Sequence, residues 1–226
     1  MPDIAIHRTC TKSRAGQLSS YEVVQSEMVA TTTPKGVTKY MRALCARLGA
    51  TAEPAFLPVC TRKDSVLGDC FNDVNRQIAE FGGDAVHGWQ LWEWPGILVE
   101  AEFHGVWRSP SGELLDVSLK GEGEEVVLFV PDPCRRFNGS RIDNVRHATG
   151  KSPHIRTFIQ NQNRFFKLYK ATHGDVIGEV VLHGELAELW EEQQILGEEL
   201  AMSDEARAAW PRFVAGHPYL PRHITA

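Results

Sequence analysis

The residues Cys70, His104 and Asp116 follow one another along the chain in an order that can build a nucleophilic triad. A cysteine thiol attacks a carbonyl carbon only as the thiolate, and an unperturbed cysteine is mostly protonated at neutral pH. A histidine beside the thiol can take its proton, and an aspartate can hold the imidazole in the tautomer that does so. If the fold brings these three side chains together, they would transfer an acyl group through a thioester.

Cys70 lies where the sequence predicts the first turn of a helix. Apolar residues follow it at helical spacing and two glycines end the pattern; these residues are Phe71, Val74, Ile78, Phe81, Gly82 and Gly83. The unpaired N–H groups of a helix N-terminus stabilise a thiolate. Because Cys70 precedes the apolar stripe by one residue, its side chain can face outward. The alternative is a small buried residue at the boundary of an element.

His104 is predicted to lie late in a strand over 97–107. The alternation of a strand places Glu100, Glu102 and His104 on one face and apolar residues on the other. The face with His104 is polar enough to line a site, and Glu102 could steer a basic substrate there. A solvated strand face is the alternative interpretation.

Asp116 is predicted on the next strand, among apolar neighbours, where a buried carboxylate needs a partner. If Trp107 pairs with Glu113 across the loop 108–112, His104 lies directly opposite Asp116, with Cβ atoms about 4.5–5.5 Å apart. A shift of one residue in this register would place the two side chains on opposite faces. The alternative is a cross-strand pair on the protein surface.

These residues resemble the transglutaminase-like superfamily of papain-related cysteine enzymes. The resemblance covers about a quarter of the chain, roughly 65–120, and rests on the order and spacing of Gly68, Cys70, Gly82, Gly83, His104, Trp107, Gly112 and Asp116. It implies a helix packed on an antiparallel sheet. It also implies that Cys70 is the nucleophile, that His104 is the general base and acid, and that Asp116 orients the imidazole.

The chain departs from the superfamily pattern in two places. Superfamily members often carry Asp-Pro where this chain has Asp116-Val117, and no glutamine stands shortly before Cys70 to serve as a papain-type oxyanion donor. The oxyanion would then rest on the Cys70 backbone N–H and one further donor. Trp89, Gln90 and Trp107 are the candidates for substrate contacts there, together with Glu102.

Composition narrows the class of protein. A net charge of −5 over 226 residues, with dispersed Lys and Arg, argues against a nucleic-acid partner. The five cysteines are widely spaced, which predicts reduced thiols and neither a disulfide framework nor a metal site. No run reaches the ~18 apolar residues of a membrane span. We expect a cytoplasmic protein with no cofactor and no membrane partner; an exported effector is the alternative.

The hydrophobic pattern predicts an α+β fold in which the helix that carries the nucleophile packs on an antiparallel sheet. Strands are predicted over 85–93, 97–107, 114–119 and 126–130, with looser candidates at 21–29 and 176–182. A helix is predicted from Thr33-Pro34 to Gly49, and further helices from Ser152 onward. Residues 50–67 and 132–150 are predicted to be irregular.

We expect a transglutaminase-like catalytic core over 1–150 and a helical C-terminal part over 151–226, packed on the same domain.

The function predicted is a cysteine-dependent hydrolase or acyltransferase that acts on a protein, peptide or small amide. Two alternatives stay open. One is an inactive relative that binds a protein or ligand with its tryptophans and the 132–150 segment. The other is a small-molecule acyltransferase, because Cys70-Phe71 resembles the nucleophile segment of arylamine N-acetyltransferases.

Overall fold

The computed structural model describes residues 5–7, 21–25, 31–176 and 180–220. The helices in this part of the chain are α1 (Lys39–Leu48), α2 (Cys70–Phe81), α3 (Pro153–His173), α4 (Glu185–Ala201) and α5 (Asp204–Val214). The strands are β1 (Ala5–His7), β2 (Tyr21–Gln25), β3 (Ala55–Pro58), β4 (Asp84–Trp94), β5 (Leu98–Arg108), β6 (Leu114–Leu115), β7 (Val126–Pro131), β8 (Val145–Ala148) and β9 (Val181–Leu182).

An antiparallel sheet of six strands forms the centre of the protein, in the order β3-β7-β4-β5-β6, with β8 also pairing with β5. Its longest ladder joins β4 to β5, from Asp84 opposite Arg108 to Trp94 opposite Leu98. A second, smaller sheet has the order β1-β2-β9. The predicted α+β class with an antiparallel sheet is therefore confirmed.

The two faces of the β4–β5 ladder have different neighbours, as the alternation of a strand requires. One face packs against α1 through Met41 and Leu44, and contributes Trp89, Leu91, Val99, Ala101 and Phe103. The other face contributes Val106 to a cluster with Leu57, Val127 and Phe129. His104 belongs to this second face because it lies two positions before Val106, with only Gly105 between them.

Helix α2 packs beside the end of β5 through Val74, which contacts Trp107 and Val117. The first turn of α2 comes closest at Gly105, where an added Cβ would lie 3.0 Å from the Phe71 ring. A glycine in β5 at this point therefore lets the N-terminus of α2 approach the strand next to His104.

The C-terminal helices pack on the far end of the same hairpin. Ile155 and Phe158 of α3 join Leu200 of α4 and Ala206 of α5 in one apolar cluster with Trp94, Ile97 and Leu98. Ser152 caps α3 and Ser203 caps α5, each by accepting a backbone N–H. None of the described helices has both the length and the apolar character needed to cross a membrane.

The predicted start of α1 was wrong. The helix begins after Thr38, whose side chain accepts the Met41 N–H, and Gly49 ends it as predicted. Thr33 instead donates its hydroxyl to the Val126 carbonyl, at 2.7 Å. The threonine-proline signal was a poor guide because the segment around it is hydrogen-bonded to the sheet.

Short strands lie inside two segments that were predicted to be irregular. β3 falls within 50–67 and pairs with β7, and β8 falls within 132–150 and pairs with β5. Each has four residues and a distant partner, so neither produces a clear local pattern. Of the looser candidates, β2 and β9 are strands, whereas residues 26–29 and 177–179 lie outside the described residues.

We predict that Gly88→Ala destabilises the sheet. An added Cβ at this position would overlap the Val130 carbonyl oxygen and lie 2.6 Å from the Phe129 ring. Overpacking of this kind costs about 1–3 kcal/mol of unfolding free energy. Gly36→Ala is the control, because nothing lies within 4 Å of a Cβ there. Urea unfolding measures both, and equal stability of the two variants would contradict the prediction.

Candidate active site

Cys70 is the first residue of α2, as the sequence predicts, and is 8% exposed. Its side chain faces a cleft, here called the Cys70 cleft, that opens on the face of the sheet where His104 lies. Polar and charged groups dominate the lining, which includes Cys70, Gln90, Trp92, Glu100, Glu102, His104, Ser118, Lys120, Glu122 and Glu124.

A gap in the pairing of β5 gives α2 access to this cleft. β8 pairs with β5 as far as Ala101, and β6 pairs with it from Trp107 onward. Between these points, the edge of β5 that includes His104 has no strand partner among the described residues. The helix N-terminus carrying Cys70 occupies this side of the strand, so its free N–H groups and the thiol both lie near the imidazole.

Asp116 is fully buried and binds the His104 ring. The His104 Nε2 atom lies 2.9 Å from Asp116 Oδ2. An ionised carboxylate can only accept, so Nε2 carries a hydrogen and donates it. All hydrogen bonds of the His104 ring to described residues fall on Nε2. None of them joins the ring to the Cys70 sulfur. The Nδ1 atom is therefore the ring nitrogen without a hydrogen-bond partner among the described residues.

The backbone around Asp116 corrects the predicted register. Trp107 pairs with Leu115, not with Glu113, and β6 ends there. Asp116 then pairs with the segment after β3, donating to Pro58 O at 3.0 Å and accepting from Cys60 N at 2.7 Å. Asp116 is not directly opposite His104. A two-residue shift keeps side chains on the same face, which is why the contact forms nevertheless.

Lys120 is the principal residue that the sequence interpretation missed. Its ammonium is buried and lies 2.6 Å from Asp116 Oδ2. It also donates to Gln90 Oε1 at 2.9 Å. The alternation Asp116, Ser118, Lys120 was the available signal, since residues two apart in an extended chain share a side. Ser118 contributes as well, donating its backbone N–H to Asp116 Oδ1 at 2.9 Å.

The charged groups in the cleft shift one another's pKa values. Burial alone would raise the pKa of Asp116, but the cations of Lys120 and His104 hold it well below its usual range. Burial and Lys120 both oppose a charge on His104. The negative charges of Cys70 and Asp116 outweigh them and raise the pKa of His104 to about 10. The cleft therefore favours the imidazolium form of His104.

Gln90 presents an amide N–H group in the Cys70 cleft. It is 1% exposed, and its Nε2 atom has no hydrogen-bond partner among the described residues. The Lys120 ammonium can only donate, so it must bind the Oε1 atom of Gln90. This fixes the orientation of the amide and makes Nε2 the atom without a partner. An unpaired buried donor of this kind is costly unless a ligand completes it.

Trp89 and Trp107, two of the predicted substrate contacts, do not line the Cys70 cleft. Trp89 is fully buried on the face that packs against α1 and donates to Asp132 Oδ2 at 3.1 Å. Trp107 donates to the Gly82 carbonyl at 2.9 Å, which joins β5 to the end of α2. Both tryptophans therefore position structural elements around the cleft.

Glu102 does line the cleft, where it accepts the Trp92 indole N–H at 2.9 Å. Glu100 lines it too and is paired with the buried Arg146 guanidinium, at 2.7 Å. Arg146 also binds Asp143, at 3.1 Å. Arg146, part of the basic 132–150 segment, is thus committed to internal ion pairs.

A partly buried polar contact holds α2 against the chain that follows Asp116. Ser65 donates to the buried carboxylate of Asp73 in α2, at 2.6 Å, and accepts the Leu119 backbone N–H at 2.7 Å. Since Cys70 belongs to α2 and Lys120 follows Leu119, this contact ties the helix that carries the thiol to the segment that carries Lys120.

The described residues contain no group of three or more His, Cys, Asp or Glu side chains that could hold a metal ion. The chain matches no protein-family model, no curated protein and no solved structure. The chemistry of the site therefore rests on its own residues.

We predict that Asp116→Asn destabilises the protein by about 3–5 kcal/mol near pH 7, because it leaves the Lys120 ammonium buried without its carboxylate. The depressed pKa of Asp116 contributes stability above the ordinary carboxyl pKa of about 4, and this stability is lost as the pH falls below it. The difference between variant and wild type therefore shrinks towards pH 3. Urea unfolding from pH 3 to 7 measures it.

Asp84→Asn provides the control, because the Asp84 side chain is 69% exposed and pairs with Arg108 at the surface. Its effect should stay within about 0.5 kcal/mol across the same pH range. An Asp116→Asn variant as stable as this control at pH 7 would show that the buried carboxylate does not hold the site together.

Proposed function

We propose that this protein is a cysteine-dependent hydrolase or acyltransferase that acts on an amide, peptide or isopeptide bond through a thioester at Cys70. The observation that carries the proposal is the buried His104–Asp116 pair in the same cleft as a cysteine at a helix N-terminus. We further propose a papain- or transglutaminase-like core over 1–150, with the helices after 151 supporting one end of its sheet.

In the first step, His104 Nδ1 accepts the thiol proton, and Asp116 stabilises the resulting imidazolium through Nε2. The Cys70 sulfur attacks the carbonyl carbon, and the carbonyl π electrons move to its oxygen. The backbone N–H of Cys70 and the unpartnered Nε2 of Gln90 are the donors available to that oxyanion. The carbonyl then re-forms, the amine leaves with the proton from His104, and a thioester remains.

In the second step, water or an amine attacks the thioester carbon while His104 Nδ1 takes a proton from it. The carbon–sulfur bond breaks, and the sulfur leaves as the thiolate beside the imidazolium. The product is an acid after attack by water, or a new amide after attack by an amine. Hydrolysis and acyl transfer thus share every residue of the site.

Lys120 acts as a positioning residue in this scheme. Its contact with Asp116 keeps the carboxylate paired when His104 is neutral, and its contact with Gln90 orients the amide towards the cleft. The ammonium also lies 3.4 Å from His104 Nε2. Both atoms are donors there, so this approach is repulsive and limits how strongly Asp116 favours the imidazolium.

We predict that iodoacetamide labels Cys70 at least about 10-fold faster than the exposed Cys60 at pH 7, because the imidazolium maintains a thiolate that an ordinary cysteine lacks. In His104→Gln this advantage is lost at pH 7. The two proteins converge near pH 10, where the His104 pKa is reached and an ordinary thiol, with a pKa of about 8.5, is ionised without help. Peptide mass spectrometry measures labelling at each cysteine.

The matched control is His154→Gln, since the His154 side chain is 57% exposed and pairs with Glu199 at the surface. It should label as the wild type does. If Cys70 labels no faster than Cys60 in the folded wild type, the thiol is not activated. The inactive binding module then becomes the better interpretation.

A further prediction concerns the oxyanion. Gln90→Ala should lower kcat for a p-nitrophenyl ester by about 10²–10³-fold, the usual cost of one oxyanion donor. The KM should change much less, because the donor acts on charge that develops after binding. Gln160→Ala, on an exposed part of α3, is the control. A Gln90→Ala enzyme with unchanged kcat would remove Gln90 from the mechanism.

A further inference from the structure

A second unpartnered group lies in the Cys70 cleft besides the amide nitrogen of Gln90. Glu124 is 4% exposed and lines the cleft, and its Oε2 atom has no hydrogen-bond partner among the described residues. The proposed mechanism does not use it. The cleft thus offers one unsatisfied buried donor and one unsatisfied buried acceptor to whatever binds there.

Lys120, the cation whose charge acts on Glu124, cannot satisfy it because its ammonium is already engaged. The Lys120 ammonium contacts Asp116, Gln90 and Ser118, at 2.6, 2.9 and 3.3 Å. An ammonium has three donors, so these contacts use all of them. Burial raises the pKa of Glu124, although backbone N–H groups of Glu122 and Glu124 and the charge of Lys120 act in the opposite direction. The Oε2 atom is the one left to a ligand.

The surroundings favour a positive ligand over any other. Carboxylates of Glu100, Glu102 and Glu122 line the same cleft as Glu124. Glu100 is paired with Arg146 and Glu102 accepts from Trp92. The four carboxylates of the lining, Glu124 included, still outnumber its two cations, the Lys120 ammonium and the His104 imidazolium. A cleft lined mainly by one sign of charge concentrates ligands of the opposite sign.

We propose that the Cys70 cleft binds substrates that carry an ammonium or guanidinium group near the scissile carbonyl, and that Glu124 pairs with this cation. The inference rests on the proposed function and adds its substrate class. The carbonyl oxygen would take the Gln90 amide N–H while the cation takes the Glu124 carboxylate. A neutral substrate of the same shape would leave the carboxylate buried and unpaired, which is the source of discrimination.

The test uses three chloroacetamides that alkylate cysteine and differ in charge: N-(3-aminopropyl), N-butyl and N-(2-carboxyethyl) chloroacetamide. Labelling rates of Cys70 are measured by peptide mass spectrometry, and the exposed Cys60 of the same molecule corrects for intrinsic reactivity. After this correction, the cationic reagent should label Cys70 about 10-fold faster than the neutral one, equivalent to about 1.4 kcal/mol. The anionic reagent should be the slowest.

Glu124→Gln should bring the ratio of cationic to neutral labelling at Cys70 close to 1. Glu113→Gln removes an exposed carboxylate outside the cleft and should leave the ratio as in the wild type. A wild-type ratio near 1, which requires no variant to fold, would overturn the inference. So would a high ratio that Glu124→Gln does not change.

The same experiment separates this inference from the proposed function. The charge ratio is measured at Cys70 alone and can be read even if labelling is slow. A Cys70 that labels no faster than Cys60 with every reagent, yet prefers the cation, would support the cation site and contradict the activated thiol. A fast Cys70 without charge preference would support the enzyme and contradict the cation site.

Discussion

The site depends on the desolvated carboxylate of Asp116. It receives the Ser118 backbone N–H and hydroxyl on one oxygen, and His104 and Lys120 on the other. A buried charge is tolerated only when it is paired and hydrogen-bonded, so these donors cannot be displaced cheaply. His104 comes from β5, whereas Ser118 and Lys120 come from the segment that follows Asp116. Satisfying this one carboxylate therefore also fixes the imidazole, the ammonium and that segment.

Lys120 changes the electrostatics of a Cys-His-Asp arrangement. In its absence, Asp116 would be buried against a neutral ring whenever His104 released its proton, and the carboxylate would then be uncompensated. With Lys120 present, Asp116 keeps one cation beside it whether His104 is charged or neutral. The ammonium and the imidazolium offset the Asp116 carboxylate and, in the proposed mechanism, the Cys70 thiolate, so this buried cluster carries no net charge.

Irregularities in the sheet make room for this cluster of charged groups. Pairing along β5 stops between Ala101 and Trp107, which leaves room for the N-terminus of α2. Gly105 removes the side chain that would block the first turn of the helix. After Leu115 the chain leaves β5 and follows the segment behind β3, which carries Asp116 into the interior. A regular, fully paired hairpin would have closed the space that the thiol needs.

Much of the fold and the three residues of the proposed triad could be predicted from the sequence, because they rest on local patterns. The stripe of α2, its closing glycines, and the alternation in β4 and β5 are periodicities set by backbone geometry. The same alternation put Glu102 and His104 on one face. It missed the short strands β3 and β8, which exist only through pairing with distant partners.

The sequence by itself therefore determined which side chains share a face and which helix begins at Cys70. Tertiary structure decided the register of Asp116 and kept Trp89 and Trp107 out of the cleft. It also placed Lys120, Gln90 and Glu124 in the cleft that His104 lines. The reason is physical. Side-chain direction follows from the chain's own geometry, whereas the partner of a buried charge depends on the non-local packing that removes it from water.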